Sequence, residues 1–328
     1  MQVIIPLAGK GTRLRPHTHL VPKPLLKVAG RPVMDWVMDR LEGLDVSELI
    51  FITGHLKEQV EAYARSRYRW PSRFIEQKVQ DGTAGAVNLA RPFVKEPVLI
   101  IFVDTVFEAD LTLINRTDAD GIIWAKEVED YQRFGVVVTD KEGFMTKIVE
   151  KPSTPISKLA NIGLYYIRDT AALWQGIEHV LKSPANKGEY FLTDAFQHMI
   201  EQGKRILTAE VGGWYDCGTR DAIIDTNHTL LRKGNARRPT LPDSVTVNEP
   251  VFIEEGATIE RSTIGPNVSI ESGSTVVGSR LEHTIVGRNC RISGSTLSQS
   301  LLGDHVQLLD VTGTASLGDH AELHGVPD

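Results

Sequence analysis

From about residue 251 onward, aliphatic side chains return on a six-residue beat. Ile253, Ile259, Ile264, Ile270 and Val276 mark it first. After a break it resumes at Val286 and Ile292, at Leu302 and Leu308, and at Leu317 and Leu323. Gly, Ser, Asn and Asp fill the intervals, as in Ile270-Glu-Ser-Gly-Ser-Thr and Leu302-Gly-Asp-His-Val-Gln. This pattern leaves few folds open. An immunoglobulin-like sandwich needs longer strands. An aliphatic at every sixth position suits the coils of a parallel β-helix, in which the aliphatics stack into a core and the small residues turn the corners. Cys290 then falls on a corner or in the core. His305 and His320 occupy matching positions of two repeats, which predicts an outward column.

Composition marks where the repeats begin. From Asp243 to the end there are twelve acids, four Arg, no Lys and one aromatic residue, Phe252. That segment carries -8 of a total of -6, so the rest of the chain is +2. Between them lies Gly234-Asn-Ala-Arg-Arg-Pro-Thr-Leu-Pro242, a proline-bearing polar stretch. The predicted organisation is a first domain over 1–235, a linker over 236–242 and a β-helix over 243–328. No apolar run approaches the roughly 20 residues that span a bilayer. Two cysteines, Cys217 and Cys290, are too few for a disulfide framework. No basic, then apolar, leader opens the sequence. The expectation is a cytoplasmic protein with no membrane partner.

The first domain opens unusually. Its first thirty-four residues contain no acid, and the first acid is Asp35. An apolar run, Val3 to Leu7, breaks into Ala8-Gly9-Lys10-Gly11-Thr12-Arg13, and Arg15, Lys23, Lys27 and Arg31 follow. A buried strand feeding a loop of closely spaced backbone N–H groups and basic side chains is a place to hold phosphates. The loop lacks the Gly-Lys-Ser/Thr ending of a Walker A motif, and Leu14 stands where a dinucleotide fingerprint needs its third glycine. The basic cluster is local and has no interleaved aromatics, which argues against nucleic acid. Further on, strand-like runs (Leu49–Thr53, Arg73–Gln77, Pro97–Val103) alternate with helix-like ones (Val33 to Leu44, His55–Arg67, Gly82–Arg91). That alternation predicts an α/β layer with a mostly parallel sheet. Ligands of such sheets bind at the carboxyl ends of the strands, where the loop after Leu7 and the acid Asp104 would lie. Asp104 and Asp216 are candidate metal ligands. Their plain alternatives are that Asp104 caps a turn and Asp216 caps a helix beginning near Thr219.

The string Leu7-Ala8-Gly9-x-Gly11-Thr12-Arg13-Leu14-x-Pro16, followed by Pro22-Lys23-Pro24-Leu25, resembles the signature of the sugar-phosphate nucleotidylyltransferases, the NDP-sugar pyrophosphorylases. Later segments resemble the family in order: Gln77 with Gly82-Thr83-Ala84-Gly85, Val103-Asp104, Arg133-Phe134-Gly135-Val136-Val137, Val149-Glu150-Lys151-Pro152, Ala160-Asn161-Ile162-Gly163-Leu164-Tyr165 and Trp214-Tyr215-Asp216-Cys217-Gly218-Thr219. Within the family, the chain resembles glucose-1-phosphate thymidylyltransferases with a C-terminal left-handed β-helix. The implied fold is a Rossmann-like, mostly parallel sheet domain followed by a left-handed parallel β-helix of hexapeptide repeats.

The resemblance also implies roles. Arg13 and Lys23 are the implied catalytic cations, Arg13 on the leaving pyrophosphate and Lys23 between phosphates. Leu7, Ala8, Gly9, Lys10, Gly11, Thr12, Gln77, Gly82 and Thr83 would hold the nucleotide, with Gln80 competing with Gln77 for the base. Gly135, Glu150, Lys151, Asn161 and Gly163 would hold the sugar phosphate. Asp104 and Asp216 would bind Mg²⁺. Lys10 departs from the family, which usually has glycine there. The segment Tyr190-Phe191-Leu192-Thr193-Asp194 reads as a packing helix start, with Thr193 and Asp194 of lesser catalytic interest. The implied partners are an NTP and a sugar-1-phosphate, in a homo-oligomer, with glucose-1-phosphate and dTTP or UTP as the expected pair. Mannose-1-phosphate with GTP, a non-catalytic regulatory subunit and an added acyl transfer on the β-helix are the alternatives.

Overall fold

The computed structural model describes residues 1–186 and 188–325. Contacts divide the chain into two compact units: Met1–Gly9 with Val37–Trp214, and Lys10–Trp36 with the chain from Tyr215 on. The contact division therefore does not follow the compositional one. The basic loop and the helix after Asp216 go with the acidic repeats.

In the first unit, nine strands form one mixed sheet among the described residues. They are β1 (Gln2–Pro6), β2 (Glu48–Thr53), β3 (Ser72–Glu76), β4 (Val98–Ile101), β5 (Gly121–Glu127), β6 (Gly135–Thr139), β7 (Met145–Glu150), β8 (Leu159–Ile167) and β9 (Ile206–Glu210). The order is β7-β6-β8-β4-β1-β2-β3, with β5 on β8 and β9 on β5. Strands β4, β1, β2 and β3 run parallel, with Ile4 opposite both Ile50 and Ile100. Strand β8 is antiparallel to β4, β5 and β6, and β9 is parallel to β5. Three of the parallel strands, β1, β2 and β4, carry continuous apolar runs, and Val3, Ile4, Ile5, Leu49 to Ile52 and Val98 to Ile101 are all buried, while the edge strand β3 is only partly so. A strand buried on both faces reads as a continuous apolar run.

After helices α1 (Val33–Met38), α2 (Lys57–Arg67) and α3 (Thr83–Asn88) along the chain come α4 (Thr170–Lys182) and α5 (Leu192–Glu201), which cover one face of this sheet. Their Leu173, Ile177 and Phe196 join Ile4, Ile52, Ile100, Ile123 and Ile148 in one core. Asp169 caps α4 by accepting from the N–H of Ala172 at 2.9 Å, as its short carboxylate side chain favours. The helix expected over Val33 to Leu44 is shorter than its apolar spacing suggested: an α-helix spans Val33–Met38, a 3₁₀ turn follows over Asp39–Leu41, and Pro32 just before it closes a two-stranded hairpin with Lys27–Val28.

In the second unit, the repeats build a parallel β-helix. Val251 pairs with Val268, seventeen residues on, and Ile270 with Val286, sixteen on. Val276 pairs with Ile292, sixteen on, and Leu308 with Leu323, fifteen on. Each coil thus falls short of three full hexads, and tightened corners take up the difference. The φ of Asn289, His305 and His320 lies at 55°, 61° and 62° at equivalent corners, the left-handed region that Asn and His tolerate better than branched residues do. The imidazoles of His305 and His320 are exposed and stack face to face, their centroids 4.7 Å apart, so this column does point outward. Cys290 is fully buried among Val286, Ile292 and Val306 in the coil core. The stretch expected to be a linker is stitched to the first coil: Arg237 donates its N–H to Val251 O, and its carbonyl accepts from Ile253 N, at 2.9 and 2.8 Å. Among the described residues no helix is long and apolar enough to cross a membrane.

Candidate active site

The site residues of the first unit gather at the carboxyl edge of the parallel strands. The order β3-β2-β1-β4 changes direction between β1 and β4, and the crevice beyond such a switch point is where open α/β sheets bind ligands. Leu7, Ala8 and Gly9 follow β1 there, and Asp104 follows β4. Leu7 is fixed by its N–H donating to Ile52 O at 2.7 Å. The two glutamines behave differently. Gln77 is buried, and its amide donates to Asp81 Oδ1 at 3.0 Å, beside the turn at Gly82. Gln80 instead donates from Nε2 to Ala8 O at 2.6 Å, so it is Gln80 that fastens the β3–α3 segment to the end of β1. Helix α3 (Thr83–Asn88) starts directly after Gly82, and the Thr83 hydroxyl accepts from the N–H of Leu192 at 2.9 Å.

Five further residues meet around one point. Asn161 donates from Nδ2 to Gly135 O at 2.8 Å, and the Tyr165 hydroxyl donates to Asn161 Oδ1. The Thr193 hydroxyl, at the start of α5, donates to Glu150 Oε2 at 3.1 Å. A side chain at 135 has no room: a Cβ there would lie 2.3 Å from Asn161 Nδ2 and 2.8 Å from Glu150 Oε2. Lys151 lies 3.9 Å from Glu150 and sits over the Phe191 ring at 5.3 Å. Burial, and after it the charges of Glu150 and Asp104, hold the Tyr165 phenol well above its usual pKa, so it stays a donor at all working pH values. Gly163 lies where β8 breaks register, with φ 78°, and its carbonyl accepts from Phe102 N at 2.9 Å. Thr193, expected to be of lesser catalytic interest, and Tyr165, which closes the family-like segment from Ala160, both belong to this cluster.

The second unit carries the remaining candidates: Lys10, Gly11, Thr12, Arg13, Lys23 and Asp216. Gly11 takes φ 60°, and its carbonyl accepts from the Thr18 hydroxyl at 2.9 Å. Lys23 lies across Gly11, where a Cβ would be 3.3 Å from Lys23 Cβ. Lys10, Thr12 and Arg13 are exposed. Arg13 and Asp216 come together about Gly218. A Cβ at 218 would lie 2.9 Å from Asp216 Oδ1 and 3.2 Å from an Arg13 guanidinium nitrogen. Asp216 does not cap the following helix. Thr219 does, accepting from Ala222 N, while Asp216 Oδ1 accepts from Gly218 N at 2.7 Å. Helix α6 (Arg220–Leu230) is tied back to Asp216 by the Thr226 hydroxyl, which donates to Asp216 O at 2.7 Å.

Comparison with known proteins gives this arrangement its class. The family described as Nucleotidyl transferase matches residues 2–233. The bifunctional protein GlmU of Methanocaldococcus jannaschii is 31% identical over 93% of this chain and 82% of its own length. The low-salt glycan biosynthesis nucleotidyltransferase Agl11 of Haloferax volcanii is 30% identical over 92% of both chains. A glucose-1-phosphate thymidylyltransferase of Streptomyces antibioticus is 29% identical over 92% of this chain and 87% of its own. The crystal structure of a UDP-glucose pyrophosphorylase complexed with UDP-glucose superposes with a TM-score of 0.64, covering 71% of this chain and 98% of that one at 23% identity, a likeness of fold. The chain belongs to the nucleotidyl transferase family. Within it, it is an enzyme of the sugar-phosphate nucleotidylyltransferase class that its opening motif resembles.

Proposed function

We propose that this enzyme joins an NTP and a hexose-1-phosphate into an NDP-hexose with release of pyrophosphate, and that its pair is glucose-1-phosphate with dTTP or UTP. The observation that carries the reading is the cluster around Gly135. There a carboxylate, an amide, a hydroxyl and a bare backbone converge, with a lysine at the rim, as a phosphorylated polyol requires. The relatives named for glucose-1-phosphate, a thymidylyltransferase and the uridylyltransferase AglF of Haloferax volcanii, favour this sugar and these bases.

In the proposed reaction a phosphate oxygen of the sugar-1-phosphate attacks the α-phosphorus in line. The bond from that phosphorus to the bridging oxygen of the β-phosphate breaks, and pyrophosphate departs with the electron pair. The protein's share is positioning and charge neutralisation, and no covalent intermediate is needed. Glu150 accepts from sugar hydroxyls, Asn161 and Thr193 hold Glu150 and the Gly135 backbone in place, and Lys151 faces the sugar's phosphate. Arg13 grips the departing pyrophosphate in bidentate fashion, Lys23 bridges phosphates near the reacting atom, and the amides of residues 9 to 12 surround the triphosphate. Among the described residues no group of three or more His, Cys, Asp or Glu side chains suits a metal ion. By the resemblance, Asp104 and Asp216 would be the residues to hold Mg²⁺, a hard cation that takes one or two carboxylates and completes its shell with water and phosphate. Bound there, Mg²⁺ would neutralise charge on the triphosphate.

Pyrophosphate release across five NTPs and four sugar-1-phosphates with Mg²⁺ tests the reading. Release that is fastest with glucose-1-phosphate and a pyrimidine nucleotide is expected. Turnover confined to GTP with mannose-1-phosphate would replace the pair, and no release from any pair would reject catalysis. Arg13→Ala is expected to lower turnover by about 10²- to 10⁵-fold, the range seen when a charge clamp is removed, with the far-UV circular dichroism unchanged. Activity within tenfold of the parent would remove Arg13 from the mechanism.

A further inference from the structure

The loop proposed to hold the nucleotide is built onto the β-helix, coil by coil. Residues 27–32 form a hairpin whose central residues, Ala29 and Gly30, take φ 47° and 75°. Such a turn suits glycine or asparagine and is strained at alanine. Outside contacts hold it. The Ala29 N–H donates to Asn227 Oδ1 at 2.8 Å. Asn227 is fully buried, and the same oxygen accepts from the Ser269 hydroxyl of the β-helix at 2.6 Å. Gly30 lies flat on Phe252 of the first coil, where a Cβ would come within 2.1 Å of the ring. At the far end of the loop, His17 Nε2 and the Ser316 hydroxyl share a hydrogen bond of 3.1 Å.

An ion pair between the loop and the β-helix is buried. Lys27 binds Glu271, whose side chain is 6% exposed, and Arg288 stands 3.4 Å away on the other side. A carboxylate taken out of water needs such partners, and it holds them firmly. Burial raises its carboxyl to about 6, with Lys27 and Arg288 pulling down and Asp304 pushing up. Lys27 is linked to the nucleotide side through one turn, since the N–H of Leu26 donates to Lys23 O at 3.2 Å and Lys23 lies across Gly11.

We propose that Glu271, on the β-helix, is a positioning residue for the nucleotide loop, acting through Lys27 to set the place of Lys23 and the turn at Gly11. What the loop binds rests on the function proposed above; that Glu271 holds it does not. The β-helix is on this account part of the nucleotide site, and a carboxylate more than two hundred residues from the loop in sequence tunes NTP affinity.

The test uses the full chain and three variants, Glu271→Gln, Lys27→Met and Lys27→Arg, each checked for parental circular dichroism and melting temperature. Amide hydrogen exchange over residues 23–31 reads the positioning without reference to activity, and the Michaelis constants of both substrates read its consequence. Glu271→Gln and Lys27→Met are each expected to speed exchange in that segment and to raise the Michaelis constant for NTP about tenfold or more, as small misplacements do. The constant for the sugar phosphate should stay within about threefold, and the double variant should be no worse than either single one, because the two act as one unit. Lys27→Arg keeps a cation opposite Glu271 and is expected to stay near the parent. Unchanged exchange, or equal losses for both substrates, would overturn the proposal. A parent enzyme that releases no pyrophosphate would reject the reaction instead, and the exchange result would still decide whether Glu271 holds the loop.

Discussion

A methyl group at residue 135 is the smallest change the sugar side of the site would register. It would press on both Asn161 and Glu150, whose hydrogen bonds to Gly135 O and Thr193 leave neither free to swing away. Gly135→Ala is expected to raise the Michaelis constant for the sugar phosphate about tenfold or more while leaving that for NTP within about threefold. Steady-state kinetics in both substrates checks it, and an equal effect on the two would assign the cluster elsewhere. His17 makes a different prediction. It is buried beside Ser316, and burial first, then the Arg220 charge, lowers its pKa from 6.5 to about 4. Its neutral form is the one that fits. Its contribution to stability is therefore fully present above pH 6.5 and is lost as pH falls from 6.5 toward 4, on the order of 3 kcal/mol in all. His17→Asn should flatten that part of the melting-temperature profile between pH 7 and 4. An unchanged profile would mean that His17 titrates normally.

At the scale of elements, the β-helix coil stands on stacked aliphatics and stable corners. Ile292 sits between Val276 and Leu308 on neighbouring coils and is buried. Ile292→Ala should cost about 2–4 kcal/mol, measured by denaturant unfolding, because coils fixed above and below cannot collapse into the gap. A loss under 1 kcal/mol would indicate a coil that repacks. Cys290, in the same stack, has its thiol pushed up to about 12 by burial, so thiol reagents should label it only after unfolding. The six-residue beat was legible because each coil repeats one structural demand. The true spacing of fifteen to seventeen residues was not, because the shortening happens at corners, where left-handed residues such as Asn267, Asn289 and His305 replace part of a hexad. In the first unit, strands and helices were legible from apolar runs. The short helix Val33–Met38 was over-read, because Leu41 and Leu44 keep the apolar spacing beyond Met38 while the chain turns away.

For the whole molecule, the contact division carries the largest consequence. Residues 10–36 and α6 share a unit with the repeats, and their partners include Phe252, Ser269, Glu271 and Ser316. A chain ending at residue 242 should therefore lose the loop's support. Its expected behaviour is faster proteolysis within residues 10–36 and turnover lowered at least about a hundredfold. A truncated protein with parental kinetics would show that the first 242 residues suffice.

The sequence by itself determined the family, the α/β alternation and the coil architecture, and it supplied the candidates for the chemistry. Those properties are written in local patterns: an acid-free glycine loop, apolar strands ending in an acid, a repeating aliphatic. Tertiary structure alone decided which residues hold those groups in place. Nothing local marks Asn227 or Glu271, since each is an ordinary polar residue until folding removes it from water. Once buried, each must be paired, and its partner lies far off in the chain, at Ala29 or Lys27.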